Sequence, residues 1–167
     1  QRCALTFFLE DQVFWRLSSV FRDVFFYSTS PLWLEQVRIS PRLMPGGEGF
    51  LSVAVDCLNS AVHEYLNAGL TMNVYEEGSS GAMLASVERI IPVISPGRNA
   101  AIEFQSRIPG VIPWTCENPC LYRVSMILRN DGNVLDIRHF RTGFRNVEVH
   151  EGKLFINDRA VKLRGVN

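Results

Sequence analysis

From Trp33 to about Arg141, apolar side chains recur at every second position, run after run, and a turn closes most of the runs. Leu51, Val53, Val55 and Cys57 form one run, Leu70, Met72 and Val74 another. In a third, Tyr122, Val124, Met126 and Leu128 alternate with Arg123, Ser125, Ile127 and Arg129. Successive side chains of a strand point to opposite faces, so a period of two describes strands with one face in a core and one in water. Val37, Ile39, Pro41 and Leu43 share one face of a first strand, which Pro41, lacking an N–H, confines to a sheet edge. The third strand opens at Asn67-Ala68-Gly69. A fourth, about Met83 to Ile91, is phased less clearly and is expected to end at Pro92. Ala100, Ile102, Phe104 and Ser106 line the fifth, and the seventh runs from about Val134 to Arg141. Turn chemistry separates several of them at residues 45–49, 77–81 and 130–133, where Gly, Asn and Asp accumulate. The one candidate helix, Ser60 to Leu66, is too short to count. Strands joined by tight turns, without a helical period, predict an all-β chain folded as an antiparallel β-sandwich.

A sandwich needs a core, and 167 residues with 47% hydrophobic content supply one. Seventeen Lys and Arg balance seventeen Asp and Glu, and no basic run interleaves with aromatics. The footprint of a nucleic-acid binder is therefore missing. No apolar stretch reaches the roughly 18 residues of a membrane-spanning helix. The opening residues 1–9 are too soon interrupted by Glu10-Asp11 to read as a secretory signal. Neither a nucleic-acid nor a membrane partner is expected. Of the four cysteines, Cys116 and Cys120 lack a second Cys or His pair at zinc spacing, and Cys57 occupies a core position. With Cys3, all are expected as free thiols.

Three stretches carry more than strand pattern. Trp114-Thr115-Cys116-Glu117-Asn118-Pro119-Cys120-Leu121-Tyr122 sets a pre-proline asparagine, biased to turn geometry, directly before the sixth strand, and Gly143-Phe144-Arg145 follows the seventh. Near the start, Leu9-Glu10-Asp11-Gln12 leads to Trp15-Arg16, Phe21-Arg22-Asp23-Val24 and the aromatic run Phe25-Phe26-Tyr27. At the other end, short strands at 147–149, 154–156 and 161–163, with turns at Glu151-Gly152 and Asn157-Asp158, lead to Arg164-Gly165-Val166-Asn167. In this order the three stretches resemble the family-2 glycoside hydrolases, and β-galactosidases among them. The resemblance implies an immunoglobulin-like antiparallel sandwich of about seven strands over residues 31–146. Residues 1–30 would close a sugar-binding jelly-roll domain, with Ser28-Thr29-Ser30-Pro31 as linker. Residues 147–167 would form a hairpin leading into the first strand of a (β/α)8 barrel.

The resemblance also implies structural roles. Trp114, Pro119 and Tyr122 would lock the loop before the sixth strand, together with Glu117, Asn118 and Leu121. Gly143, Phe144 and Arg145 would form the exit, with Arg145 pairing an acid such as Glu117 or Asp23. Trp15, Arg16 and Phe21, beside Arg22, would anchor an interface, since Trp and Arg dominate binding hot spots. Arg164, Gly165 and Asn167 would open the barrel. Two positions depart from the family: Ser19 stands where glycine is usual. Val13 replaces an aspartate that reaches the substrate and a bound sodium, and valine ligates nothing. Any magnesium or sodium is thus implied for the parent enzyme and not for this chain.

Retaining glycoside hydrolysis needs two carboxyls about 5–5.5 Å apart. Glu76 and Glu77 are adjacent on a strand and point to opposite faces. Gly78-Ser79-Ser80-Gly81 lacks the spacing of a nucleophile elbow. His63 and His139 have no Ser or Cys partner that the sequence nominates. The chain is expected to hydrolyse nothing by itself, with no catalytic, cofactor or metal residues; on the resemblance the catalytic glutamates belong to the barrel. The expected role is a spacer holding the sugar-binding domain and barrel in register, with those domains as partners. A homo-oligomer through residues 1–30 is also expected, since a stranded segment is a sticky edge. The implied parent cleaves terminal β-galactosides with retention, in the cytoplasm or periplasm of a bacterium. The alternatives are a free-standing carbohydrate-binding or adhesion sandwich, presenting Trp33, Tyr65 and Tyr75, and a β-glucuronidase or β-mannosidase parent.

Overall fold

The structure, a computed structural model, describes residues 23–78, 81–162 and 165. Trp15, Arg16, Phe21, Arg22, Arg164 and Asn167 lie outside the described residues, as do Cys3, Val13 and Ser19. Seven long strands come first: β1 (Leu32–Met44), β2 (Glu48–Asn59), β3 (Tyr65–Glu76), β4 (Met83–Ile94), β5 (Asn99–Ile108), β6 (Tyr122–Asn130) and β7 (Asn133–Thr142). Three short ones succeed them: β8 (Val147–His150), β9 (Lys153–Ile156) and β10 (Arg159–Val161). All described pairings are antiparallel, in sheets ordered β1-β2-β5, β4-β3-β6-β7 and β10-β9-β8. The first two enclose one core, an all-β sandwich. Among the described residues there is no helix, hence none long and apolar enough to cross a membrane.

The period-two runs become the core. Leu51, Val53, Val55 and Cys57 of β2 face Leu70, Met72 and Val74 of β3 and Val124, Met126 and Leu128 of β6, all fully or almost fully buried. Asn59 closes one end of this core without an unmet polar group. Its amide nitrogen donates to the carbonyls of His63 and Ile94, each at 2.8 Å, and its oxygen accepts the Ala61 N–H at 2.8 Å.

Two edge strands differ from the sequence expectation. β1 begins at Leu32, close to the Trp33 where the alternation starts, but a bulge between Leu34 and Gln36 changes its phase. Leu32 and Leu34 therefore face the core although Val37 and Ile39, of opposite parity, also pack against it. The bulge is stitched to the other sheet, where the Asp136 carboxylate of β7 accepts the Leu34 N–H at 3.0 Å. β4 does not end at Pro92 but runs through to Ile94. An edge strand needs no ladder donor on its outer side, so proline is tolerated. Opposite it, the pairing skips Asn67, which has φ 53°. The third strand accordingly opens at Tyr65, two residues before Asn67.

Candidate functional site

The exit of the sandwich concentrates the residues that the sequence marked. β6 starts at Tyr122, whose ring is buried and packs edge-on against Phe144, centroids 5.1 Å apart. The Tyr122 hydroxyl accepts the Ile112 N–H at 2.8 Å. Burial is the main cause that pushes its pKa above the ordinary value, and this hydrogen bond only partly opposes it. Phe144 is fully buried, and Gly49 is what lets it in: a Cβ there would meet the Phe144 ring at 2.8 Å. Gly143 makes the same concession to Trp114, whose side chain would lie 2.8 Å from an added Cβ. The backbone of the loop then joins the exit directly, Trp114 N–H donating to the Phe144 carbonyl at 2.9 Å.

Asn118 and Pro119 shape the loop tip. Asn118 N–H donates to the Thr115 hydroxyl at 3.0 Å, Thr115 N–H to the Asn118 carbonyl at 3.0 Å, and Cys120 N–H to the same carbonyl at 2.8 Å. Glu117, Asn118 and Pro119 themselves are exposed, and Leu121 is half-buried. Pro119 therefore fixes the turn rather than packing into the core. Arg145 departs from its expected partner. Its guanidinium lies 4.3 Å from the centroid of the half-buried Trp114 ring, a cation–π contact, and pairs with neither Glu117 nor Asp23 among the described residues.

Two asparagines hold the exit together, Asn157 expected only as a turn residue and Asn146 unmarked in the sequence. The Asn146 side chain spans the edge of β1, accepting the Leu43 N–H at 3.0 Å and donating to the Leu43 carbonyl at 2.8 Å. Asn146 N–H donates to the Asn157 side-chain oxygen at 2.9 Å, and Asn157 N–H returns a bond to the Asn146 carbonyl at 3.0 Å. The Asn157 amide nitrogen reaches the Trp114 carbonyl at 3.0 Å. Asn157 sits in the β9–β10 turn with φ 48°, beside Asp158 at 63°, a left-handed pair that asparagine and aspartate tolerate. Five elements thus meet: β1, the 114–122 loop, the end of β7, and the β8 and β9–β10 segments of the small sheet. Gly165 lies beyond this small sheet and is exposed.

Three side chains with catalytic chemistry, Ser125, His139 and Glu77, are engaged in the fold. Ser125 and His139 face each other across β6 and β7 with the hydroxyl 2.8 Å from Nδ1. Counting back from the 130–133 turn would put Arg138 opposite Ser125, but a bulge between Leu128 and Arg129 brings His139 there instead. Ser125 is 3% exposed, so its oxygen is closed to a substrate and the pair satisfies a buried hydroxyl. Glu77 is engaged by Arg141 at 2.6 Å. Among the described residues no three His, Cys, Asp or Glu side chains gather to hold a metal ion. Cys57, Cys116 and Cys120 are free thiols. Burial, with Asp56 and Asp136 adding to it, pushes the Cys57 thiol up to about 12.

These contacts hold the small sheet to the sandwich, and comparisons with known proteins agree on the family. The profile of "Glycosyl hydrolases family 2" matches residues 34–145, most of the chain. The chain belongs to that family. It is 30% identical over 161 residues to the β-galactosidase of Priestia megaterium, covering 95% of this chain and 15% of the relative. It is 31% identical over 172 residues to that of Photobacterium profundum, covering 96% and 15%. The chain thus spans about 15% of the length of these relatives. Among solved structures, the β-glucuronidase of Bacteroides uniformis matches with a TM-score of 0.72 at 24% identity, over 83% of this chain and 17% of that one. A putative β-galactosidase from Bacteroides fragilis matches with a TM-score of 0.70 at 20% identity, over 80% and 20%. At that identity the structures speak for the fold.

Proposed function

We propose that this chain is the non-catalytic β-sandwich module of a β-galactosidase-like retaining glycoside hydrolase, working as a spacer that fixes one neighbouring domain against the next. The observation that carries this reading is the asparagine joint at Asn146 and Asn157. A free-standing binding module has no need to bolt a three-stranded extension to its first strand, its 114–122 loop and its last strand at once. A spacer does, because a loose exit would let the next domain wander. Residues 1–30 and 147–167 then belong to the flanking sugar-binding domain and barrel, which are the module's partners. The similarity to β-galactosidases over almost the whole chain favours terminal β-galactosides as the parent's substrate.

The test uses the chain itself. Incubated with a chromogenic β-galactoside, it is expected to release nothing above the buffer blank, and titration with galactose and lactose is expected to leave its amide NMR spectrum unchanged. Turnover would overturn the non-catalytic reading. Saturable shifts around exposed aromatics would replace the spacer with a carbohydrate-binding module. Light scattering at high concentration tests self-association through the N-terminal 30 residues, for which a dimer is expected.

A further inference from the structure

The end of β1 and the end of β7 part at the joint, leaving an open cleft of about 840 Å³ between them. Its lining combines apolar side chains of the β1 edge, Ile39 and Leu43, with three arginines, Arg42, Arg141 and Arg145. The strands on either side are edges, since β1 pairs only with β2 and β7 only with β6 among the described residues. Along the β1 wall the Leu43 N–H and carbonyl are taken by Asn146 and Pro41 has no N–H, so few edge donors remain there.

The charges do not cancel. Glu148 is the one acid in the lining and is held by His150 at 2.6 Å. Arg141 has Glu77 at 2.6 Å. Among the described residues Arg42 has no ion-pair partner, and Arg145 has only the face of Trp114. A guanidinium stacked on a ring keeps its in-plane N–H donors free and aimed outward, which is the fork that a carboxylate takes in bidentate fashion. A partly apolar wall and excess guanidinium together specify a polypeptide segment that carries both apolar and acidic side chains.

We infer that this cleft is a docking site for an acidic–apolar segment of polypeptide supplied by another part of the parent enzyme. The inference names a partner for the joint and so rests on reading the chain as a module of a larger protein. Ile39 and Leu43 border the apolar side chains, and Arg42 and Arg145 clamp the carboxylates.

The test is an amide NMR titration of the isotope-labelled chain with a capped peptide alternating glutamate and leucine. Its glutamine–leucine counterpart and inorganic sulfate serve as controls. Saturable shifts confined to residues 39–44 and 141–148, absent with the glutamine peptide, are the expected result. The Arg42→Gln/Arg145→Gln variant should bind about tenfold more weakly, the loss of two charge-assisted contacts partly replaced by solvent. Arg42→Gln alone, on an exposed position, should also weaken binding and leaves the Trp114 contact intact. The inference fails if the glutamate peptide gives no saturable shifts, if the glutamine peptide binds as well, or if sulfate reproduces the same shifts. Such a failure leaves the module reading standing, because that reading falls only with glycoside cleavage or sugar binding by the chain.

Discussion

Tyr122 is held by its ring and by its hydroxyl, and the two can be separated. Tyr122→Phe keeps the contact with Phe144 and removes the acceptor of the Ile112 N–H. The expected cost is about 1 kcal/mol, read as a lowered urea midpoint with an unchanged slope. Phe144→Ala should cost about 3–5 kcal/mol, since a fully buried ring leaves a cavity that Gly49 cannot fill. Gly143→Ala tests close approach: the added methyl lands on Trp114, so the loop must shift and the tryptophan emission with it. Of these three residues the sequence singled out all, but for a motif and not for a contact. Tyr122 was legible as a core position because its parity matches Val124 and Met126. The approach of Gly143 to Trp114 was not, because a glycine's lack of a side chain acquires meaning only once the neighbour it admits is placed.

Among elements, strand faces were the most legible feature and strand phase the least. β2, β3 and β6 are central, and alternation describes β2 throughout, β3 from Ala68 to Val74 and β6 apart from the buried Ser125. β1 and β4 are edges, where a bulge or a proline can break the alternation at little cost, and the expected phase of β1 and end of β4 failed there. The contacts of the asparagine joint, beyond the turn at Asn157, were invisible for a different reason. Asn146 contacts Leu43 across 103 residues, and nothing local to either position announces the other. Asn146→Ala should therefore loosen β8–β10 while leaving the sandwich folded. Hydrogen exchange of amides in 153–161 is expected to accelerate, with those of β2, β3 and β6 little changed. Asn157→Ala removes two side-chain bonds of the same joint and should show the same pattern, each variant costing on the order of 1–3 kcal/mol locally.

At the scale of the whole molecule, alkaline pH reads the integrity of the core. The Cys57 thiol ionises at about 12 in the folded protein against an ordinary 9.0. Between those values the unfolded chain has lost a proton that the folded chain keeps, so stability is full below pH 9 and falls as pH rises. Tyr122, raised above 10.0, adds to the fall at the upper end of that range. Urea midpoints measured across this interval should decline, less steeply in Cys57→Ala when each series is compared with its own value at pH 8. The same burial makes Cys57 resist alkylation in the native protein while the exposed Cys116 reacts, which mass spectrometry checks.

The bond from Asn146 to Leu43 has a bearing on how the protein is made. A ribosome delivers about 5–20 residues per second, so Leu43 waits roughly 5–20 s before its partner has been synthesised. Throughout that wait the end of β1 is an open edge in a half-finished sandwich. The β8–β10 segment can be seated only after the first and last strands are both home. Vectorial synthesis thereby gains a checkpoint: the small sheet finds a fixed mount only when the sandwich behind it is complete.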